Sequence, residues 1–407
     1  MPIRLDLAPA EAAARLRHLP GMVFFDSAKS DAESMSIVAA APQKVILGNI
    51  ARDWNELRVE LAARGMDGVR DDGLPHGFAA GWVGYDGEFC FGVYEHALFY
   101  RHGAQSWCEI GDLSSRLAAE SRAQCVRPDF RSLWNREEFC AAVSRAQEYI
   151  AAGDIYQVNL AHRFASPWEG EPWAFYEALR HYSPAPNASY LDLGGRTVLS
   201  ASPESFLKMS GRSICTRPIK GTRPRRSDPM ADEKSAFDLI TSPKEVSELV
   251  MITDLERNDL GQVCEYGSVA VPELLKLERY EQVFHLVSKV EGRLRSGVDH
   301  TGALRACFPG GSITGAPKKR AREIIAELEP AARGLYTGAA GWFGFNEESQ
   351  FSITIRTVVI ENDVASFHVG AGIVADSDPA SEWQETLDKA AGILLAAERV
   401  AGSGSVA

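Results

Sequence analysis

The run Pro218-Ile219-Lys220-Gly221-Thr222-Arg223-Pro224-Arg225-Arg226 sets a lysine between an apolar residue and a glycine, then gathers three arginines within four residues. Its two prolines exclude a packed helix, because proline lacks a backbone donor and clashes with the preceding turn. A basic run of this kind is ordinarily a solvated loop. The alternative is an electropositive loop that holds an anionic ligand and offers Lys220 as a reacting group. Charge gives the first constraint. The 407 residues carry a formal net charge of −12, which argues against a nucleic-acid partner. An anionic small molecule then needs local basic groups or a metal to overcome the global field. Arg212, Arg217, Lys220, Arg223, Arg225 and Arg226 form the obvious local patch.

Hydrophobic residues make up 45% and charged residues 24% of the chain, ordinary values for a soluble globular protein. No apolar run approaches the roughly 18 residues a membrane helix needs, so no membrane association is expected. The first twenty residues lack the apolar core of a signal peptide, which points to the cytoplasm. Seven scattered cysteines without a Cys-x-x-Cys pair fit reduced thiols rather than a disulfide frame or a zinc site.

The elements alternate between helix and strand, a mixed α+β pattern. Helices are expected at 11–18, 54–64, 136–152, 173–182, 243–259 and 380–400, and strands at 21–27, 78–85, 89–94, 155–160, 188–193, 197–200, 351–360 and 365–374. Asn135, followed by Arg136-Glu137-Glu138, is a good N-cap, and Pro243 opens a helix that Gly261 stops. The polar, proline-containing junction around 126–134 marks a boundary near residue 130, giving units 1–130 and 131–407. Residues 401–407 are small and expected to fray. Ala79–Glu88 also echoes Ala339–Glu348. That fits a duplicated half, or a chance recurrence of aromatic-glycine strands.

Two acidic pairs stand out. Glu245 and Glu248 lie three apart on the helix after Pro243, so both project from one face. Glu382 and Glu385 repeat the spacing on the last helix, with Lys389 one turn on. Single exposed glutamates are usually just solvated. If the two pairs face each other they form an all-oxygen site suited to Mg²⁺. Arg356, beside Gly370-Ala371-Gly372 across a hairpin, can clamp a carboxylate. The turn Gly310–Pro317 is no Walker A sequence, but it can present a helix N-terminus to an anion.

Ala201-Ser202-Pro203-Glu204-Ser205-Phe206, Pro218–Arg223, Thr253–Gly261, Phe308–Lys318 and Gly370–Val374 together resemble the chorismate-utilising enzymes. That family contains anthranilate, isochorismate and salicylate synthases and aminodeoxychorismate synthase component I. The likeness spans about residues 135–400, and residues 1–130 resemble the anthranilate synthase N-terminal unit more loosely. It implies large antiparallel sheets forming a sandwich surrounded by helices. It implies Mg²⁺ on Glu245, Glu248, Glu382 and Glu385, and chorismate carboxylates near the metal, Arg356, Tyr336 and the backbone of Gly370, Ala371 and Gly372. Gly221, Thr222, His285, Ser312 and Lys389 fall at pocket-lining positions, and Glu204 at the position of the general acid. Members that add water carry a lysine where this chain has Gln157. Anthranilate synthases carry alanine where Lys220 stands, and a lysine there is similar to the aminodeoxychorismate synthases.

The resemblance therefore implies that Lys220 attacks chorismate, and that ammonia from a separate glutamine amidotransferase subunit ends up on C4. No Gly-x-Cys-x-Gly elbow occurs among the seven cysteines. Ser27, and Pro186, Asn187 and Ala188, fall in segments that line a tryptophan pocket in relatives, although both segments depart from the relatives' pattern.

Overall fold

The echo between 79–88 and 339–348 has a structural meaning. In the computed structural model, which describes residues 2–27, 34–65, 74–119, 121–279 and 283–400, strands Phe78–Val83 and Ala339–Gly344 lie side by side. They run antiparallel in the middle of a ten-stranded sheet, with Gly81 opposite Gly341 and Trp82 opposite Ala340. The expected fraying of 401–407 lies outside the described residues.

The repeat extends well beyond this pair. Eight strands, Pro2–Ile3, Val23–Asp26, Met35–Ala39, Lys44–Asn49, Phe78–Val83, Glu88–Tyr94, Ala97–Arg101 and Ser106–Ile110, have eight counterparts. These are Gln157–Pro167, Asn187–Leu193, Arg196–Ser202, Ser205–Ser210, Ala339–Gly344, Glu348–Ile353, Thr357–Glu361 and Val364–Ile373. The pairing within each set is the same: first with last, second with third, third with seventh, fourth with sixth. The chain is a duplicated half. Between its fourth and fifth strands the second half carries residues 211–338, which hold the basic run, the Glu245 helix and the glycine-rich turn.

The two halves join through Val23–Asp26 against Asn187–Leu193 in a twelve-stranded sheet, and through the Gly81–Gly341 pair in the ten-stranded one. Residues on either side of position 130 thus contribute to both sheets. The inner faces of the sheets pack on each other through Val23, Ile37, Leu191 and Val198 on one side and Phe78, Trp82, Tyr94 and Trp342 on the other. Helices Pro9–Leu16, Pro172–Tyr182 and Pro379–Val400 cover the outer face of one sheet. Trp54–Arg64, Pro243–Gly261 and His300–Cys307 cover that of the other. This is the expected antiparallel sandwich, with apolar faces inside and helices outside.

Local signals held where the physics is local. Asn135 accepts from Glu138 N at 2.9 Å while Glu138 Oε2 accepts from Asn135 N at 2.8 Å, a capping box that starts Arg136–Ala151. Pro243 opens helix Pro243–Gly261. All seven cysteines are free thiols, and no helix among the described residues is long and apolar enough to cross a membrane.

Two expectations are corrected. The basic run is an edge strand, Ile219–Pro224, paired antiparallel with Val283–Arg293 and interrupted by a register shift between Lys220 and Thr222. An edge position tolerates the prolines a central strand would not. Gly221 sits at φ +70°, where a Cβ would lie 2.6 Å from Leu239 Cδ1. The single strand expected over 351–360 is two strands in different sheets, Glu348–Ile353 and Thr357–Glu361. The chain crosses from sheet to sheet at 354–356, with Arg356 at φ +50°. Alternation from Phe351 to Arg356 runs straight into the β-branched residues Thr357–Ile360, so strand-forming residues continue without a break and hide the crossing.

Candidate active site

The crossover, the Gly221 edge strand, the helix from Pro243 and the last helix enclose one cavity of about 680 Å³. Glu204, Lys220, Gly221, Thr222, Glu245, Glu248, His285, Ser312, Tyr336, Arg356, Gly370, Gly372, Glu385 and Lys389 line it. Three expected residues sit just behind. Gln157 is buried against Gly372, Ala371 packs into an apolar cluster with Val158 and Leu160, and Glu382 is 2% exposed and accepts from the cavity-lining Lys244. A wider groove of about 1000 Å³ between helices Pro243–Gly261 and Lys318–Leu328 holds none of the expected residues.

Glu204 enters from the start of strand Ser205–Ser210 and is almost fully buried. Burial pushes its carboxyl above the ordinary range. A 2.7 Å hydrogen bond donated by Ser312 Oγ, with the charges of Lys220 and Lys389, opposes that push without cancelling it. The result is an acid that keeps its proton further toward neutrality than a solvated glutamate. Ser312 stands in the short 3₁₀ turn Gly311–Ile313, whose next-door amide, Gly311 N–H, donates to the buried Glu256.

The four glutamates each meet a cation. Lys220 Nζ is 4.0 Å from Glu248 Oε2, Arg223 3.6 Å from Glu245 Oε1, Lys244 2.9 Å from Glu382 Oε1 and Lys389 2.8 Å from Glu385 Oε1. Burial pushes Glu248 up. Burial also acts upward on Glu385, but Lys389, Lys244 and Lys220 outweigh it and hold that carboxyl low. Among the described residues no group of three or more His, Cys, Asp or Glu side chains is arranged around a metal position. The donor chemistry nevertheless fits a hard cation. Every candidate ligand is an oxygen, and Glu248 Oε1 and Glu382 Oε2 are buried without a partner.

Of the basic patch, Lys220 and Arg223 reach the cavity. Arg217 pairs with Glu278 at 2.5 Å, Arg212 pairs with Glu265, and Arg225 pairs with Asp232 at 3.0 Å while lying over the Phe284 ring. Arg356 is different. Burial depresses its guanidinium, and among the described residues no carboxylate pairs with it. A desolvated, uncompensated cation on a cavity wall is a place for an anion. Lys389 Nζ donates to the Gly370 carbonyl at 2.8 Å, and Thr222 Oγ1 lies 3.1 Å from His285 Nδ1.

Several important residues carried no sequence signal. Arg333, 3% exposed, bonds Glu329, the Ile313 and Asn159 carbonyls and Thr337 Oγ1, tying the glycine-rich turn to the sheet. His368 lines the cavity stacked on Tyr336, centroids 5.2 Å apart. Lys244, next to Glu245 in sequence, was visible but had no visible partner.

Ser27, Pro186, Asn187 and Ala188 do come together, with Asp26, Trp342 and Ser352, around a second cavity. Its volume is about 50 Å³, against roughly 300–1,000 Å³ for typical ligand pockets.

Residues 22–395 match the family of chorismate binding enzymes. Anthranilate synthase component 1 of Streptomyces coelicolor is 48% identical over 284 residues, 70% of this chain and 56% of that protein. Aminodeoxychorismate synthase component 1 of Bacillus subtilis is 45% identical over 261 residues, 64% of this chain and 56% of that protein. The aligned part spans little more than half the length of these relatives. A crystal structure of anthranilate synthase component I from Streptococcus pneumoniae superimposes with TM-score 0.79 at 29% identity, covering 89% of this chain and 93% of that one. The menaquinone-specific isochorismate synthase of Escherichia coli shares the fold, with TM-score 0.79 at 19% identity over 98% of this chain and 93% of its own. The chain belongs to the chorismate binding enzyme family.

Proposed function

We propose that this member of the family converts chorismate and ammonia to 4-amino-4-deoxychorismate, as an aminodeoxychorismate synthase component I does. The observation that carries the reading is the company Lys220 keeps: an amine and a buried, proton-retaining acid, Glu204, on the walls of one cavity. An amine at that position gives the chain a nucleophile of its own.

In the first step Lys220 Nζ bonds to ring carbon C2, the two ring double bonds shift, and the C4–O bond breaks. Glu204 delivers its proton to the departing hydroxyl, which leaves as water. In the second step the ammonia lone pair bonds to C4, the double bonds shift back, and the C2–N bond breaks to free Lys220. Glu204 carboxylate takes the surplus proton from nitrogen, so the acid is restored. Arg356 suits one substrate carboxylate. Lys220 attacks as a neutral amine, and its Nζ lies 4.0 Å from Glu248 Oε2, so the two must move apart for Nζ to reach the ring.

Glu245, Glu248, Glu382 and Glu385 would hold Mg²⁺, which supplies charge to draw in and orient a substrate carboxylate. Ammonia would come from a glutamine amidotransferase subunit, or from ammonium salts at higher concentration.

The anthranilate synthase reading is favoured by a comparable identity to those relatives. It would require loss of pyruvate after amination. Identification of the product of chorismate turnover separates the two.

A further inference from the structure

Four carboxylates and four cations meet at this cavity, and their charges balance. Against Glu248, Glu245, Glu382 and Glu385 stand Lys220, Arg223, Lys244 and Lys389. A divalent cation gains attraction at such a site only as one of these cations withdraws. Lys220 and Arg223 come from the edge strand, and Lys389 shares a helix with its partner Glu385. Lys244 differs from all three. Among the described residues, its 2.9 Å contact with Glu382 is the one ion pair that joins the two acid-bearing helices, Pro243–Gly261 and Pro379–Val400.

Apolar packing does not tie those helices together. Leu249 and Leu260 of the first lie in clusters that hold no residue of the last helix. Ala390 and Ile393 of the last helix lie in a cluster that holds no residue of the first. What draws the two glutamate pairs toward each other is therefore charge.

Lys244 is also the cation freest to leave. Its side chain is 46% exposed, the highest of the four, against 18% for Lys220. The ammonium can turn into water while its stem stays on the protein surface. Glu382 Oε1 would keep the 2.7 Å hydrogen bond donated by Ser377 Oγ, and Glu382 Oε2 is the buried oxygen that has no partner. Glu385 and Glu248 also lie within electrostatic reach of Lys244. Its withdrawal thus strengthens three of the four acids as ligands.

We propose that Lys244 is a built-in competitor of the divalent cation: its ammonium holds Glu382, and binding of the divalent cation expels it into solvent. The inference rests on the reading that the four glutamates hold Mg²⁺. Lysine and metal are then alternative links between the same two helices. The exchange replaces one positive charge by two, and the surplus is available to a substrate carboxylate.

The test is calorimetric titration of MgCl₂ into chelator-stripped protein at low ionic strength without chorismate, with melting curves alongside. Lys244→Met tightens Mg²⁺ binding by roughly tenfold, the worth of one nearby positive charge removed. It also lowers Tm in the presence of chelator, because buried Glu382 loses its cation, and saturating Mg²⁺ closes most of that gap. Lys244→Arg keeps the charge and binds Mg²⁺ within about twofold of the wild type. If Lys244→Met fails to fold, Lys244→Gln is judged by the same criteria. Unchanged Mg²⁺ affinity in the neutral variant overturns the exchange alone. Weakened affinity overturns it too, and makes Lys244 a group that orients Glu382 for the metal. A wild-type protein that binds no Mg²⁺ overturns the metal reading, and the exchange with it.

Discussion

Ser312 Oγ donates a 2.7 Å hydrogen bond to Glu204 Oε1, the acceptor being a carboxyl that is only 7% exposed. The bond stabilises the carboxylate, so it works against the burial that holds the proton on. Removing it lets burial act with less opposition, and Glu204 stays protonated to higher pH. Ser312→Ala therefore moves the alkaline limb of the kcat/KM profile upward. A limb that stays in place, or moves down, separates Ser312 from the acid.

Lys220 gives a chemical readout independent of rate. With chorismate and Mg²⁺ but no ammonia, the first step proceeds and the second cannot. Intact-protein mass spectrometry should then show an adduct of one chorismate less one water, on the peptide containing Lys220. Lys220→Ala shows no adduct and loses amination. Wild-type rates in Lys220→Ala would exclude covalent catalysis even if the product were right.

Glu248 carries a raised proton affinity and an unpartnered buried oxygen, so it costs the metal-free fold something. Glu248→Gln removes that cost, and thermal stability without Mg²⁺ holds or rises. The Mg²⁺-dependent rise in Tm, which measures binding to the folded state, weakens by at least roughly tenfold in the Mg²⁺ needed. An unchanged Mg²⁺ titration would remove Glu248 from the metal set.

Glu256 is 2% exposed, and burial, with Asp259 and Glu204 close by, raises its carboxyl to about 8. Its proton is bound more tightly in the folded chain than in the unfolded one. The stabilisation from that proton is complete below pH 4.5 and is lost as pH rises toward 8. Glu256→Gln keeps an acceptor for Gly311 N–H and has no proton to lose. Its urea midpoint should fall less between pH 5 and pH 8 than that of the wild type, with a difference of roughly 2–4 kcal/mol in unfolding free energy across that window. Parallel pH dependences would contradict the assignment.

The sequence was most readable where one element carries its own instructions. Pro243 at a helix start with Glu245 and Glu248 three apart states both the helix and the face. The echo of Gly81 and Gly341 was a true sign of duplication, but ten residues could not reveal that these two strands are partners. What escaped depends on contacts between distant segments. The crossing at 354–356 lies inside an unbroken run of strand-forming residues, with no turn residue to mark the change of sheet. Arg333 has no motif around it, and its five donors are satisfied only once the 310–317 turn and the Asn159 strand arrive beside it. His368 sits in an apolar strand where nothing but its neighbours makes it a neutral acceptor.

The identity of the product decides between the aminodeoxychorismate and anthranilate readings. The protein, with chorismate, Mg²⁺ and an ammonium salt, is followed by liquid chromatography with mass detection and by fluorescence. The expected product is 4-amino-4-deoxychorismate, at chorismate's mass with one hydroxyl exchanged for an amine, and it is lost in Lys220→Ala. Fluorescent anthranilate with release of pyruvate as the main outcome would contradict it.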